Sequence, residues 1–277
     1  MSLLHQIQSG VSPTGLRIVI GALEKMGKTT FCSGAPKALL IPLEVGYAGV
    51  SVDKVPMLTT LDQFNTLIDE ITQYVMAGQF PYQSLVIDST TALERFIHDY
   101  IISLDPLAGR GGKQTITMDS AHGGYGKAYN LANEQFDLIL KKFDALAVNG
   151  KINIVLTSHV FSSKIVDPNS GEYDSWDLLL HSPKNMKTYG KREMLTQWAD
   201  VIGFLYEPIF VNAEGKISRG ISQNKGRVMG LSRTPGYTAG NRFGIVGEIS
   251  IPAPPDIGWN AFAQALHTSC GIDIFTR

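Results

Sequence analysis

The sequence predicts an α/β fold, a mostly parallel sheet with helices on both faces followed by a β-rich extension. Three observations predict it. Short apolar runs rich in β-branched residues recur at Leu16 to Ile20, Ala38 to Pro42, Ser84 to Ile87, Ile152 to Thr157 and Val201 to Tyr206, each of strand length. Helix-period segments stand between them at 60–77, 92–102 and 129–148, the last carrying Leu131, Phe136, Ile139, Leu140, Phe143 and Leu146. The first strand also runs into the turn Gly27-Lys-Thr-Thr30, a strand–loop–helix signature. Strands alternating with helices are the mark of crossover-connected parallel sheets.

The 277 residues, 44% of them hydrophobic, are enough to bury one substantial core. The expectation is a single domain over 1–277, with its core at about 14–208 and a hairpin-rich extension and last helix over 209–277. Net charge is −1, so nucleic-acid binding would depend on local patches and not on a global field. Cys32 and Cys270 are too far apart in sequence for a metal knuckle, which points to a reduced, cytoplasmic setting. No apolar run approaches a membrane span, and the N-terminus lacks a charged region followed by an apolar core. The expectation is a soluble, unexported protein with no membrane partner.

Along the chain, Leu16 to Ile20 forms the first strand, and Thr29 to Ser33 opens a helix that stops before Pro36. Three stretches do not fit the strand–helix alternation. Asp105 to Gly126 carries Gly109, Gly111, Gly112, Gly123, Gly124 and Gly126 and is expected to be a mobile loop. Phe161 to Arg192 is a long polar interruption. Ile209 to Ile251 reads as short strands and turns, with Asn212-Ala-Glu-Gly215 a hairpin connection and Pro252-Ala-Pro-Pro255 a stiff tether to the last helix.

The segment Gly21-Ala-Leu-Glu-Lys-Met-Gly-Lys-Thr-Thr30 has the chemistry of a nucleotide phosphate cradle. A loop closing onto a helix start aims backbone N–H groups at phosphate oxygens. Gly21, Ala22, Glu24, Lys25, Met26, Gly27, Lys28, Thr29 and Thr30 are the candidate binding residues. Gly27 permits close approach, Lys28 brings a point charge to the β/γ oxygens, and the Thr29 hydroxyl is placed to ligate Mg²⁺. The usual spacing G-x4-G-K-[ST] puts Ala22 at its first glycine, with Gly21 one residue earlier. The alternative is a structural glycine turn.

Acids and a histidine end the other strands. Asp88 closes the apolar run Leu85-Val-Ile and is the second candidate Mg²⁺ anchor; alternatively Asp88 or Ser89 caps the next helix. Glu44 follows Leu39-Leu-Ile-Pro-Leu43 and, since parallel strands converge on a ligand crevice at their C-termini, is placed to orient an attacking water as base. The alternative is a solvated loop glutamate. His159 ends Ile154-Val-Leu-Thr-Ser and is a candidate contact for the terminal phosphate that signals its loss to the next loop. The alternative is a plain hydrogen-bonded histidine.

In order, Gly27-Lys-Thr-Thr30, Leu43-Glu-Val-Gly46, Val86-Ile-Asp-Ser89, Tyr125-Gly-Lys-Ala-Tyr129, Leu156-Thr-Ser-His159, Gln197-Trp-Ala-Asp200 and Asn241-Arg-Phe-Gly244 resemble the phage and bacterial RecA-like ATP-binding proteins. That group includes phage single-strand annealing ATPases. The resemblance spans about Leu16 to Leu266 and implies a RecA-like P-loop NTPase core using ATP and Mg²⁺. It assigns phosphate and metal contacts to Lys28 and Thr29, the base to Glu44 and the Walker B acid to Asp88. It implies DNA-facing loops at Asp105 to Gly126 and Phe161 to Arg192. RecA itself has glutamine where His159 lies, and glycine in place of Ala22.

Those loops supply the candidate nucleic-acid contacts Arg110, Lys113, Lys127, Lys164, Lys184, Lys187, Lys191 and Arg192. Spaced cations on glycine-rich backbone beside tyrosines suit single-stranded DNA; the alternative is an ordinary solvated surface. Since RecA-type sites lie between subunits, a neighbour's cation can act on the phosphoryl group. Arg242 is the first candidate and Lys225 the second, with structural salt bridging as the alternative.

The leading expectation is an ATP-dependent recombination protein of bacterial or phage origin. It would bind ATP, Mg²⁺ and single-stranded DNA and promote annealing or strand pairing as a homo-oligomer, filament or ring, with a single-strand-binding protein as a further partner. The alternatives are a RecA-type motor or helicase, and a nucleotide-gated assembly protein without DNA binding.

Overall fold

The computed structural model describes residues 14–106, 116–169, 171–183, 189–214, 217–222, 226–252 and 257–275, with backbone alone over 210–214 and 217–222. In chain order the elements are β1 (Arg17–Gly21), α1 (Lys28–Cys32), β2 (Ala38–Pro42), β3 (Asp53–Lys54), α2 (Leu61–Met76), β4 (Ser84–Asp88), α3 (Thr90–Ser103), α4 (Lys127–Gly150) and β5 (Asn153–Ser158). There follow β6 (Val160–Asp167), β7 (Gly171–Leu178), α5 (Lys191–Trp198), β8 (Val201–Tyr206), β9 (Ile209–Glu214), β10 (Ile217–Ser222), β11 (Arg227–Gly230), β12 (Gly240–Asn241), β13 (Glu248–Ile251) and α6 (Trp259–Cys270).

The main sheet has the order β13-β11-β8-β1-β5-β4-β2-β3, with β12 also on β8. From β8 to β3 the pairing is parallel; β11, β12 and β13 join antiparallel. This is the α/β, mostly parallel arrangement expected, in which β5 is inserted between β1 and β4. Parallel strands gather their C-terminal ends on one edge, so Gly21, Asp88 and Ser158 arrive together, with Glu44 and His159 one or two residues beyond.

Side chains alternate across the sheet as strand geometry requires. Val19, Leu39, Ile41, Leu85, Ile87, Ile154 and Leu156 face one core, filled by Phe64 and Ile68 of α2, Ile97 of α3, Phe136 and Phe143 of α4 and Leu195 of α5. Ile18, Ile20, Leu40, Val86, Val155 and Leu205 face the other, filled by Phe31 of α1 and Trp259, Phe262 and Leu266 of α6. Helix starts carry their caps: Thr60 accepts from the N–H of Gln63 before α2, and Ser89 from that of Ala92 before α3.

One expectation is corrected here. The stretch 161–192 is not one loop: β6 and β7 form an antiparallel hairpin in register from Val160↔Leu178 to Asp167↔Gly171, and α5 opens at Lys191. The alternation from Val160 to Val166, with every second residue exposed, is a period-2 signal masked by its serines. Within the expected mobile loop, Met118 and Ala121 of the described residues are buried, and Asp105 accepts from the His122 N–H. Short strands do fill 209–251, with β9 and β10 paired from Ser222↔Ile209 to Ile217↔Glu214.

Candidate nucleotide site

The loop between β1 and α1 is shaped by two left-handed residues, Lys25 (φ 60°) and Gly27 (φ 80°). Gly27 takes that conformation without a Cβ clash, whereas Lys25 is a non-glycine residue held there by the loop. Ala22 has no positive φ and is fully buried, its N–H donating to the Ser158 carbonyl at 3.3 Å. A methyl group at the loop's first position is therefore compatible with closure. Gly21 serves the neighbouring hairpin instead: a Cβ there would lie 2.9 Å from Leu178 Cδ2 and 3.1 Å from Val160 Cγ1.

Lys28 is buried, and its Nζ donates to the carbonyls of Ala22 (2.8 Å) and Leu23 (2.9 Å). Burial pushes its pKa down, against the pull of Asp88, Glu24 and Glu44. The next residue reaches across the inserted strand: Thr29 Oγ1 donates to Asp88 Oδ2 at 2.7 Å. The second Asp88 oxygen, Oδ1, accepts from Thr157 Oγ1. Hydroxyl and carboxylate oxygens on one spot form a hard donor set of the kind Mg²⁺ takes. Asp88 and the helix cap are separate, since it is Ser89 that caps α3.

Glu44 and His159 are brought into direct contact, with His159 Nε2 2.8 Å from Glu44 Oε1. An ionised carboxylate only accepts, so Nε2 carries the proton. The other ring nitrogen, Nδ1, is buried without a hydrogen bond and lies 3.5 Å from Glu24 Oε1. Burial pushes the Glu44 pKa up, but hydrogen bonds with His159 and Ser89, and the charges of His159 and Arg95, outweigh it and hold the carboxyl below its usual range. The His159 N–H is itself fixed by Thr91 Oγ1 at 3.2 Å, at the start of α3.

The structure thus assembles Lys28, Thr29, Asp88, Glu44 and His159, with Glu24 at the rim. Met26 contributes its carbonyl to Arg227, and Thr30 its carbonyl to Ser33. Arg242 is not brought to this cradle. It lies beside Asp200, at the start of β8 and hence the opposite end of the sheet, with Nη1 3.3 Å from Asp200 Oδ1. There it joins Arg17, which pairs with Asp200 at 2.8 Å and Asp144 at 3.0 Å.

The nucleic-acid candidates divide. Lys127, at the start of α4, and Lys164, on β6, are exposed. Lys191 is corrected: it is fully buried, 3.2 Å from Glu94 Oε1, and has no path to a phosphate. Arg192 pairs with Asp177 and Glu193 at 3.0 Å each. Arg110, Lys113, Lys184, Lys187 and Lys225 lie outside the described residues. Sequence reasoning missed Thr157 and Thr91 and gave no role to Arg227, one of the cations of the segment 216–242; Thr157 carried a signal, as a polar residue inside an apolar strand that ends at the site.

A glycine-lysine-threonine loop after a central strand, answered by an acid one strand further on, defines a P-loop NTPase of the inserted-strand class. The chain belongs to the AAA domain family, whose model matches residues 14–243. A crystal structure of the RadB recombinase is similar with a TM-score of 0.46 and 13% identity, over 88% of this chain and 90% of that one. No curated protein matches the chain. None of the described helices is long and apolar enough to cross a membrane.

Proposed function

We propose that the protein hydrolyses ATP at this loop and couples the reaction to single-stranded DNA, as a recombination-type protein working as an oligomer. One observation carries the catalytic part: Glu44 stands opposite the Lys28 loop as a carboxylate kept ionised, its Oε1 2.8 Å from His159 Nε2. Backbone N–H groups of the loop and the Lys28 ammonium bind and orient the triphosphate. Thr29 and Asp88 would hold Mg²⁺, which supplies charge neutralisation on the phosphate oxygens. Glu44 positions a water and takes up its proton. His159 fixes the Glu44 carboxylate, and its peptide begins the β6–β7 hairpin, so any change at Glu44 reaches that hairpin directly.

The DNA part is supported by the order of the motifs and by the exposed Lys127, Lys164 and Tyr125, the last 99% exposed. Cations to take phosphates and an aromatic to stack on bases are the elements of single-strand binding. The reading is tested by ATP hydrolysis with and without single-stranded DNA. Lys28→Ala is expected to abolish binding, and Glu44→Gln to keep ATP bound while losing about 10²- to 10⁴-fold in turnover. Wild-type turnover in Glu44→Gln would remove the base assignment; hydrolysis indifferent to DNA would leave a nucleotide switch acting on protein partners.

A further inference from the structure

Arg227, the first residue of β11, is 6% exposed and packs behind the phosphate loop. Its Nη1 donates to the Met26 carbonyl at 2.6 Å. Its Nε donates to the Pro252 carbonyl at 3.1 Å, and Nη2 donates to the same oxygen. These acceptors are neutral, and among the described residues no carboxylate stands within ion-pair distance of the guanidinium. Burial lowers its pKa. A buried cation answered only by carbonyls is costly to the fold. Its position directly behind a site for a polyanion gives that cost a use.

The geometry points to Arg227 as a positioning residue for ATP, acting through the Met26–Gly27 peptide. The inference rests on the reading of the loop as an ATP site. In a trans peptide the C=O and the following N–H point in opposite directions. Tying the Met26 carbonyl back to Arg227 therefore turns the Gly27 N–H away from Arg227 and into the loop, where phosphate oxygens are bound. Gly27, at φ 80°, has no side chain to fix that peptide by itself, so the anchor comes from outside the loop. The Pro252 carbonyl fixes the guanidinium in turn, and through it the end of β13 becomes part of the phosphate cradle. Its positive charge, without a carboxylate partner among the described residues, adds to the field that attracts the triphosphate.

The test is steady-state hydrolysis together with the ATP-induced rise in melting temperature, on Arg227→Gln, Arg227→Lys, Asp256→Asn and Lys28→Ala. Arg227→Gln is expected to raise KM for ATP about tenfold or more while kcat stays within about threefold, the pattern of lost binding rather than lost chemistry. Arg227→Lys, which keeps the charge and donates to one carbonyl, is expected to recover part of that loss, and this holds the test if the glutamine variant does not fold. Asp256 lies outside the described residues, and Asp256→Asn is expected to leave KM unchanged; an equal loss there would reassign Arg227 to an ion pair and overturn the inference. Unchanged KM in Arg227→Gln, with Lys28→Ala inactive, overturns the inference and leaves the ATP site standing. Normal ATP binding by Lys28→Ala would instead overturn the reading of the loop itself.

Discussion

On the proposed reading, Glu44 and His159 divide one task between them. Burial by itself would leave the Glu44 carboxyl protonated at a higher pH, and a protonated carboxyl is no base. The hydrogen bond from His159 Nε2, the strongest of the influences that oppose burial, keeps it ionised. In His159→Ala that support is gone, so the Glu44 pKa rises and the acid limb of the pH–rate profile moves to higher pH. The variant is expected to lose activity earlier than wild type as pH falls, while the two converge at alkaline pH. An acid limb that stays in place would show that His159 does not tune the base. Both residues were legible as polar ends of apolar strands, because the C-terminal ends of parallel strands share an edge. Their contact was not legible, since it depends on β4 and β5 lying between β2 and β1, an order the sequence does not display.

The packing of α3, α4 and the segment leading into α5 shows where charge in a sequence misleads. Lys191 reads as a loop cation, yet it is sealed against Glu94 of α3, whose Oε1 also accepts from the His181 N–H at 2.8 Å. Around this pair, Tyr129 of α4 stacks on His181 at 3.9 Å and meets His98 of α3 edge-on at 5.8 Å. Burial first, then the charge of Lys191, pushes His98 down to about 3 and His181 to about 4. Their unfolded pKa is about 6.5, so as pH falls the unfolded chain takes up these protons first. Stability from the cluster is complete above about pH 6.5 and is lost progressively below it, by about 1.4 kcal/mol per pH unit for a fully shielded histidine. His98, with a side chain 20% exposed, approaches that limit. Urea unfolding at pH 7.5 and pH 5 is expected to show a smaller decline for His98→Phe than for wild type; an equal decline would place the sensitivity elsewhere. The helices α3 and α4 were readable from apolar spacing, whereas α5 and the burial of its lysine were not, because that burial is decided by a partner on another helix.

The C-terminal segment is integral to the nucleotide domain and not an appendage to it. β11 and β13 extend the sheet beyond β8, Arg227 grips the phosphate loop, and α6 closes the face that holds α1. A strand-rich tail ending in a helix was readable from turn residues and Pro252-Ala-Pro-Pro255; that it completes the core could not be read, because the antiparallel return of β11 onto β8 leaves no periodic trace. The consequence concerns α1, which has five residues and is far too short to hold its own conformation. Its anchor is Phe31, fully buried against Trp259 at 5.1 Å and Phe262 at 6.3 Å between ring centroids. Trp259→Ala is therefore expected to cost about 3–5 kcal/mol of stability and also to raise KM for ATP, since Lys28 and Thr29 ride on the helix that Phe31 secures. Trp198→Ala is the control: that ring packs on the other face, 6.1 Å from Phe143, with Nε1 donating to Asp144 at 2.8 Å. It is expected to destabilise the fold while leaving KM unchanged under conditions where both variants are folded. An equal rise in KM for the two variants would mean that affinity follows global stability; a rise confined to Trp259→Ala would locate the support of the phosphate loop in the C-terminal helix.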